Sequence, residues 1–457
     1  MHFDRLLFHS VRGRAAVGLG ALAGAVAFAA CTDKAATTGT TTKSPSASAL
    51  AYLDTAIAFE EEVFIPAWRS RVNFAADSSA AFDSLKRTGS QGPGNDTLYF
   101  GPVENTIDPF LRNAGDQHSD YFPPSIAPGV TNNSPSDPRV NLAAFMLGAN
   151  AGVKTGNPIG YLWYPAYDGT NDLGHVDSTQ NLIRSLDQNS PCGYVLDLRW
   201  NYGGAIFPML AGLSPLTGNA VISGSQTGIA GWGVDYLGAT YLVYTNNGAT
   251  GYTTTATTPS AGRDTGLAIQ ASNPYVLKRP NSPVAILIDT VTASAAEFIT
   301  LSFRGGSVPY RTFGGNSYGV TTTPYGYQYA DQGFLNITAA IMRDRTGTFY
   351  GGSLAPDTPI SGANLYSTFS PLVPSVAANN PDATVQAAVA WLNTQASCGG
   401  TATAAVSPSF VRSAATASAP AGPIAAAAPA TRRRISPVWM VSRTRVRQMI
   451  VALSRQR

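Results

Sequence analysis

A serine hydroxyl becomes a nucleophile only where one group takes its proton and others hold the negative charge that follows. One serine in this chain is placed for that, in the stretch Pro283–Gly305, PVAILIDTVTASAAEFITLSFRG. The apolar run Val284 to Ile288 predicts a buried parallel strand, and Thr292 to Glu297 opens an apolar helix. Ser294 therefore falls where the carboxyl end of a strand meets the amino end of a helix. Free N–H groups and the positive end of the helix dipole stabilise an alkoxide or a tetrahedral oxyanion at such a junction. A Ser or Thr there also serves simply as a helix cap, so other parts of the chain must decide between the two.

A proton acceptor has to be a His or a Lys, and the choice is short. Lysines stand at 34, 43, 86, 154 and 278, all before Ser294. Of the four histidines, His2 and His9 belong to the amino-terminal leader. That leaves His118, in Gly115-Asp-Gln-His-Ser119, and His175, in Leu-Gly-His-Val-Asp. A second place of chemical interest is Arg199-Trp-Asn-Tyr-Gly-Gly204, which follows an apolar strand pattern, Gly193 to Leu198. Adjacent glycines there let the backbone approach a ligand or turn with positive φ, although such pairs also make ordinary turns. Asp197 and Arg199 read as a structural ion pair. No Cys or His cluster has metal-ligand spacing, and neither a phosphate loop nor a dinucleotide fingerprint is present, so no cofactor is expected.

The elements around these residues read as α/β. Ala49 to Phe64 has apolar residues at helical spacing with acids on the other face, and helical pattern continues through Ala75 to Lys86 and Val103 to Leu111. The helical part ends at the turn-like Gly115 to Ser119, followed by Tyr-Phe-Pro-Pro, and between there and Asn157 the chain reads as largely loop. A strand at Ile159 to Pro165, a helix at Ser178 to Leu186 and the strand at Gly193 form a parallel βαβ unit, followed by a helix at Ala205 to Leu213. Residues 220 to 280 read as short strands and Gly/Thr/Ser loops. After Ser294 come a glycine-rich loop, Phe313 to Gly319, strands at Phe334 to Ile341 and Asp344 to Tyr350, and a last helix that Asn380 and Pro381 begin.

Both ends of the chain of 457 residues differ from this body. Residues 1–30 join Arg5, Arg12 and Arg14 to an apolar run too short for the roughly 20 residues of a spanning helix, and they read as a signal peptide. Phe28-Ala-Ala-Cys31 is similar to a lipobox, which makes Cys31 a candidate lipidation site and the chain a lipid-anchored protein of a bacterial cell envelope, facing the periplasm or exterior. Residues 31–48 suit a flexible tether. The segment 399–457 is low in complexity, and eight arginines lie between Thr431 and Arg457 with no acid. Setting those eight against the net charge of +3 leaves the remainder at −5. The basic balance thus belongs to the tail and gives no case for nucleic-acid binding. In an oxidising compartment Cys192 and Cys398 are a candidate disulfide.

Several of these motifs, in this order, resemble the C-terminal-processing, or tail-specific, serine peptidases: Tyr194 to Gly204, Thr292 to Glu297, the glycine loop at 313 to 319 and Ala355-Pro-Asp357. Familiar members pair the serine with a Lys in the glycine loop, where this chain has Tyr318-Gly-Val320. Phe207 to Leu216 together with Gly115 to Ser119 is similar instead to the nisin resistance protein-like branch, which uses a Ser/His dyad. The resemblance implies Ser294 as nucleophile, His118 rather than His175 as base, and a ClpP/crotonase-like core of βαβ units over 121–398 beside a helical part at 49–120. Residues 120 to 158 are too few for the PDZ domain of other members. The mechanism the resemblance implies is acyl transfer from a peptide or unfolded protein to water, near the substrate's carboxyl terminus in the manner of the family. Backbone N–H groups of Ala295 and of Gly203 or Gly204 would hold the oxyanion, with Asp116 and Glu297 as candidate supporting residues. A hydrophobic-ligand-binding protein or an esterase on the same fold are the alternatives.

Overall fold

The structure is a computed structural model, and it describes residues 44–89, 103, 111–122, 142–148, 151–167, 171–217, 230–233, 240–245, 251–258, 262–329, 333–344, 346, 348–361 and 383–400. The leader, Cys31, the tether up to residue 43, most of 103–110 and the Arg-rich tail lie outside these residues. The chain opens with helix α1 (Ala47–Val63), capped by Ser46, whose Oγ accepts the Ala49 N–H at 3.1 Å. Helix α2 (Phe74–Thr88) is capped by Asn73 and stopped by Gly89 at φ 65°.

Three strands follow: β1 (Asp120–Phe122), β2 (Ala143–Leu147) and β3 (Ile159–Trp163). The sequence reading expected loop where β1 and β2 lie. Each is an edge strand short of a full alternating pattern, made by its partner rather than by its own residues. Helix α3 (Asp172–Gln188) leads to β4 (Gly193–Asp197) and α4 (Ile206–Thr217). Then come β5 (Ala230–Gly233), β6 (Thr240–Thr245), β7 (Gly251–Thr258), β8 (Gly262–Gln270) and β9 (Val284–Ile288). Helix α5 (Ala295–Ser302), β10 (Tyr310–Gly314), β11 (Thr322–Gln328), β12 (Phe334–Asp344), β13 (Phe349–Tyr350), β14 (Thr358–Pro359) and α6 (Ala383–Leu392) complete it.

Among the described residues these strands make two sheets in a mixed α/β fold. The six-stranded sheet runs β14-β10-β9-β4-β3-β2 and is parallel except for β2. Its central strands are buried on both faces, which is why they read as unbroken apolar runs. Val284, Ile286 and Ile288 of β9 pack with the helices α3, α4 and α5, while Ala285 and Leu287 face Val385, Val389 and Leu392 of α6. Each such side chain contributes about 1.5–3 kcal/mol on burial. In the second sheet β12 is the hub, pairing with β1, β5, β11 and β13. The helices α1 and α2 share a core with it, through Leu53, Phe59, Leu85, Leu335 and Ile337.

One pairing matters most for function. β4 and β9 are hydrogen-bonded neighbours although β5 to β8 separate them in sequence. Their carboxyl ends, carrying the glycine turn and Ser294, therefore emerge side by side.

Candidate active site

The turn that delivers Ser294 is tied down before the helix starts. Asp289, the first residue past β9, accepts the N–H groups of Val291 at 2.9 Å, Thr292 at 3.0 Å and Trp200 at 3.2 Å. Burial raises its carboxyl above the ordinary value. The Thr292 hydroxyl donates to Leu198 O at 2.9 Å, which knits the ends of β4 and β9 together. Ser294 then adopts φ 55°, ψ −116°. For a residue with a Cβ this conformation costs on the order of 1–3 kcal/mol and persists only where the surroundings enforce it. Here the Ser294 N–H donates to Glu297 Oε2 at 2.8 Å and its carbonyl accepts from Phe298 at 3.0 Å.

The Glu297 carboxylate caps the Ser294 N–H, and Ser294 Oγ lies 3.5 Å from His118 Nε2. That separation is at the outer limit of a hydrogen bond, as is common in an active site without substrate. Glu297 is fully buried and collects four donors: Ser317 Oγ (2.6 Å) and Gly319 N (2.9 Å) on Oε1, Ser294 N (2.8 Å) and Val320 N (3.0 Å) on Oε2. Burial pushes its carboxyl up to about 7, against those donors, which favour the ionised form.

His118 is 1% exposed and comes from the other sheet, two residues before β1. Asp116 shapes its turn: the carboxylate accepts the N–H of His118 at 2.8 Å and the hydroxyl of Thr338, on β12, at 2.7 Å. Asp116 thus supports the backbone that carries the histidine. At the ring itself, Nδ1 lies 2.7 Å from Thr322 Oγ1. His175 is elsewhere, on α3, with Nε2 2.9 Å from Tyr164 Oη and its ring stacked on Tyr167.

The two glycines have different duties. Gly203, at φ 101°, approaches Ser294 so closely that a Cβ there would stand 2.8 Å from Ser294 Cβ and 2.9 Å from Ala295 N. Its N–H is taken by Asn201 Oδ1 at 2.9 Å. Among the described residues no acceptor faces the N–H of Gly204 or of Ala295, the first residue of α5. Ala295 directly follows the serine, and Gly204 directly follows Gly203, which packs on it. Asn201 fixes this arrangement, since its Nδ2 donates to Tyr164 O at 2.8 Å and its carbonyl accepts from Ala293 at 2.9 Å.

Asp197 and Arg199 form a fully buried ion pair, Nη2 to Oδ2 at 2.6 Å, joined by the Tyr161 hydroxyl. Cys192 and Cys398 form a disulfide. No group of residues suited to holding a metal ion occurs among the described residues.

Thr322, Asn201 and Asp289 are the members of this arrangement that sequence reasoning did not single out. Asn201 and Asp289 sit inside motifs that were recognised, immediately past β4 and β9, and their place at strand ends is the signal that finds them. Thr322 is 204 residues from His118 and carries no local signal.

Residues 158–360 match the family model described as peptidase family S41. The matched range holds Gly203, Ser294, Glu297 and Thr322 but not His118. A curated relative, the nisin-resistance protein of Lactococcus lactis subsp. lactis, is 29% identical over 235 residues, or 51% of this chain. The match spans 60% of that relative's length. Among solved structures, a lipoprotein from Streptococcus agalactiae aligns with a TM-score of 0.47 and 19% identity over 69% of this chain and 93% of the other. A photosystem II D1 C-terminal processing protease aligns with a TM-score of 0.42 and 12% identity over 74% and 98%.

Proposed function

We propose that this chain, whose residues 158–360 form a peptidase family S41 domain, hydrolyses peptide bonds by serine acyl transfer through a Ser294/His118 dyad. The observation that carries the reading is the strained Ser294, whose hydroxyl oxygen lies 3.5 Å from His118 Nε2 in a buried setting. Nε2 takes the Oγ proton as the oxygen attacks the substrate carbonyl. The oxyanion is met by the N–H groups of Ala295 and Gly204, each worth about 3 kcal/mol in such a site. The imidazolium then returns its proton to the leaving amine, and water repeats the sequence on the acyl-enzyme.

The substrate is a peptide or unfolded segment, and likeness to the nisin-resistance protein favours an antimicrobial peptide. The disulfide favours an oxidising compartment. Together with the lipobox-like stretch ending at Cys31, it supports an anchored enzyme at the cell envelope.

Substitution tests the chemistry. Ser294→Ala and His118→Ala, each checked for folding by circular dichroism, are expected to lose peptide hydrolysis by about 1,000-fold or more, and Ser294→Ala to lose labelling by a fluorophosphonate. Full cleavage by either variant would remove the dyad. Labelling without any peptide cleavage would favour an esterase. Anchoring is tested separately, by incorporation of labelled palmitate that Cys31→Ser abolishes.

A further inference from the structure

A histidine acts as a base only in the tautomer whose lone pair faces the nucleophile, so whatever touches its other nitrogen matters. Resting on the dyad just proposed, we infer that Thr322 is the positioning residue of the site: its Oγ1 accepts the Nδ1–H of His118 and leaves the Nε2 lone pair to Ser294.

The contact is 2.7 Å and buried, with His118 1% and Thr322 3% exposed. Its placement is firm. Thr322 begins β11 and is held in register opposite Ile341 of β12. The preceding residue is fixed twice, by its hydroxyl on Gly352 O at 2.8 Å and by its carbonyl accepting from Met342 at 3.0 Å. Just before it, Glu297 holds the N–H groups of Gly319 and Val320 with the same carboxylate that holds Ser294. One carboxylate therefore holds both Ser294 and the backbone that ends two residues before Thr322. Being β-branched, threonine has few χ1 choices at such a place, which suits a fixed acceptor.

The proton count is simple. Nδ1 keeps its proton throughout, Nε2 gains one from Ser294 and gives it to the leaving amine, and Thr322 neither gains nor loses one. A hydroxyl orients the ring without supplying charge, unlike a carboxylate in that place.

The test uses the full chain and a fluorophosphonate probe, with labelling rates measured between about pH 5 and 9. Thr322→Val keeps the shape and removes the acceptor. It is expected to label about 10- to 100-fold more slowly, with the acid limb of its profile moved to lower pH because the imidazolium has lost a partner. Thr322→Ser is expected to stay within about threefold of the parent. In nitrogen NMR of the parent labelled at histidine, His118 should carry its proton on Nδ1. Equal rates and profiles for Thr322→Val and the parent, with His118→Ala silent, would overturn the inference alone, as would a His118 proton found on Nε2. The NMR result decides even if Thr322→Val does not fold. A parent labelled no faster than His118→Ala would overturn the dyad, and the inference with it.

Discussion

Ser294 holds its conformation because Gly203 leaves room for it. In Gly203→Ala the new methyl meets Ala293 O at 2.8 Å and Ser294 Cβ at 2.8 Å, on a backbone at φ 101° that side chains avoid. The serine must move, and a displacement of that size costs about 100-fold in rate. We expect that loss in peptide cleavage, with the far-ultraviolet circular dichroism of the parent. Glu297 makes a pH-dependent contribution. Its carboxyl stands at about 7 in the fold against 4.5 for the free group, so the folded state prefers the proton. The resulting stability is fully present below pH 4.5 and is lost as pH rises through about 7. Ionisation costs on the order of 3 kcal/mol over that window. Activity should move the other way, because only the carboxylate accepts all four donors. Melting temperature followed from acid to neutral pH should fall less steeply in Glu297→Gln than in the parent, and that variant should cleave peptides more slowly.

At the scale of elements, the proposed nucleophile and the proposed base arrive on different sheets, and what was legible in the sequence divides along that line. The strands β3, β4 and β9 were readable because burial on both faces leaves only apolar residues, and the helix after Ser294 follows directly. The base-bearing side was harder to read. β1 pairs three residues with β12, and its neighbour His118 is placed by Asp116 on Thr338, 222 residues away. The strand β12 runs on to Asp344, past the expected break at Ile341, because β5 pairs with residues 341–344. Such long-range partners leave no periodic trace. Helix α3 begins at Asp172, ahead of the expected Ser178, since Asn171 caps it and carries it through Gly174. One prediction belongs here. Asp116→Ala removes the acceptor that ties the His118 turn to β12, so peptide cleavage should fall about 10- to 100-fold while Ser294 and its helix stay in place.

Across the whole molecule the disulfide joins the amino end of β4 to the residues just after α6, closing 206 residues of chain. In the chain-entropy view this is worth about 5 kcal/mol, and Cys192→Ala with Cys398→Ala should lower the melting temperature by about 5–10 °C. The bridge lies a strand length, about 16 Å, from the sheet edge that carries Ser294, so any activity of the proposed site should persist well below the melting temperature. The separation of the working parts along the chain has a further consequence. Ser294 is 176 residues from His118, and Thr322 is 204 residues from it. During synthesis His118 is made first, Ser294 much later and Thr322 later still, and β12, to which the His118 turn is pinned through Thr338, follows all three. On the proposed mechanism, a nascent chain that has not yet reached β12 is therefore inert.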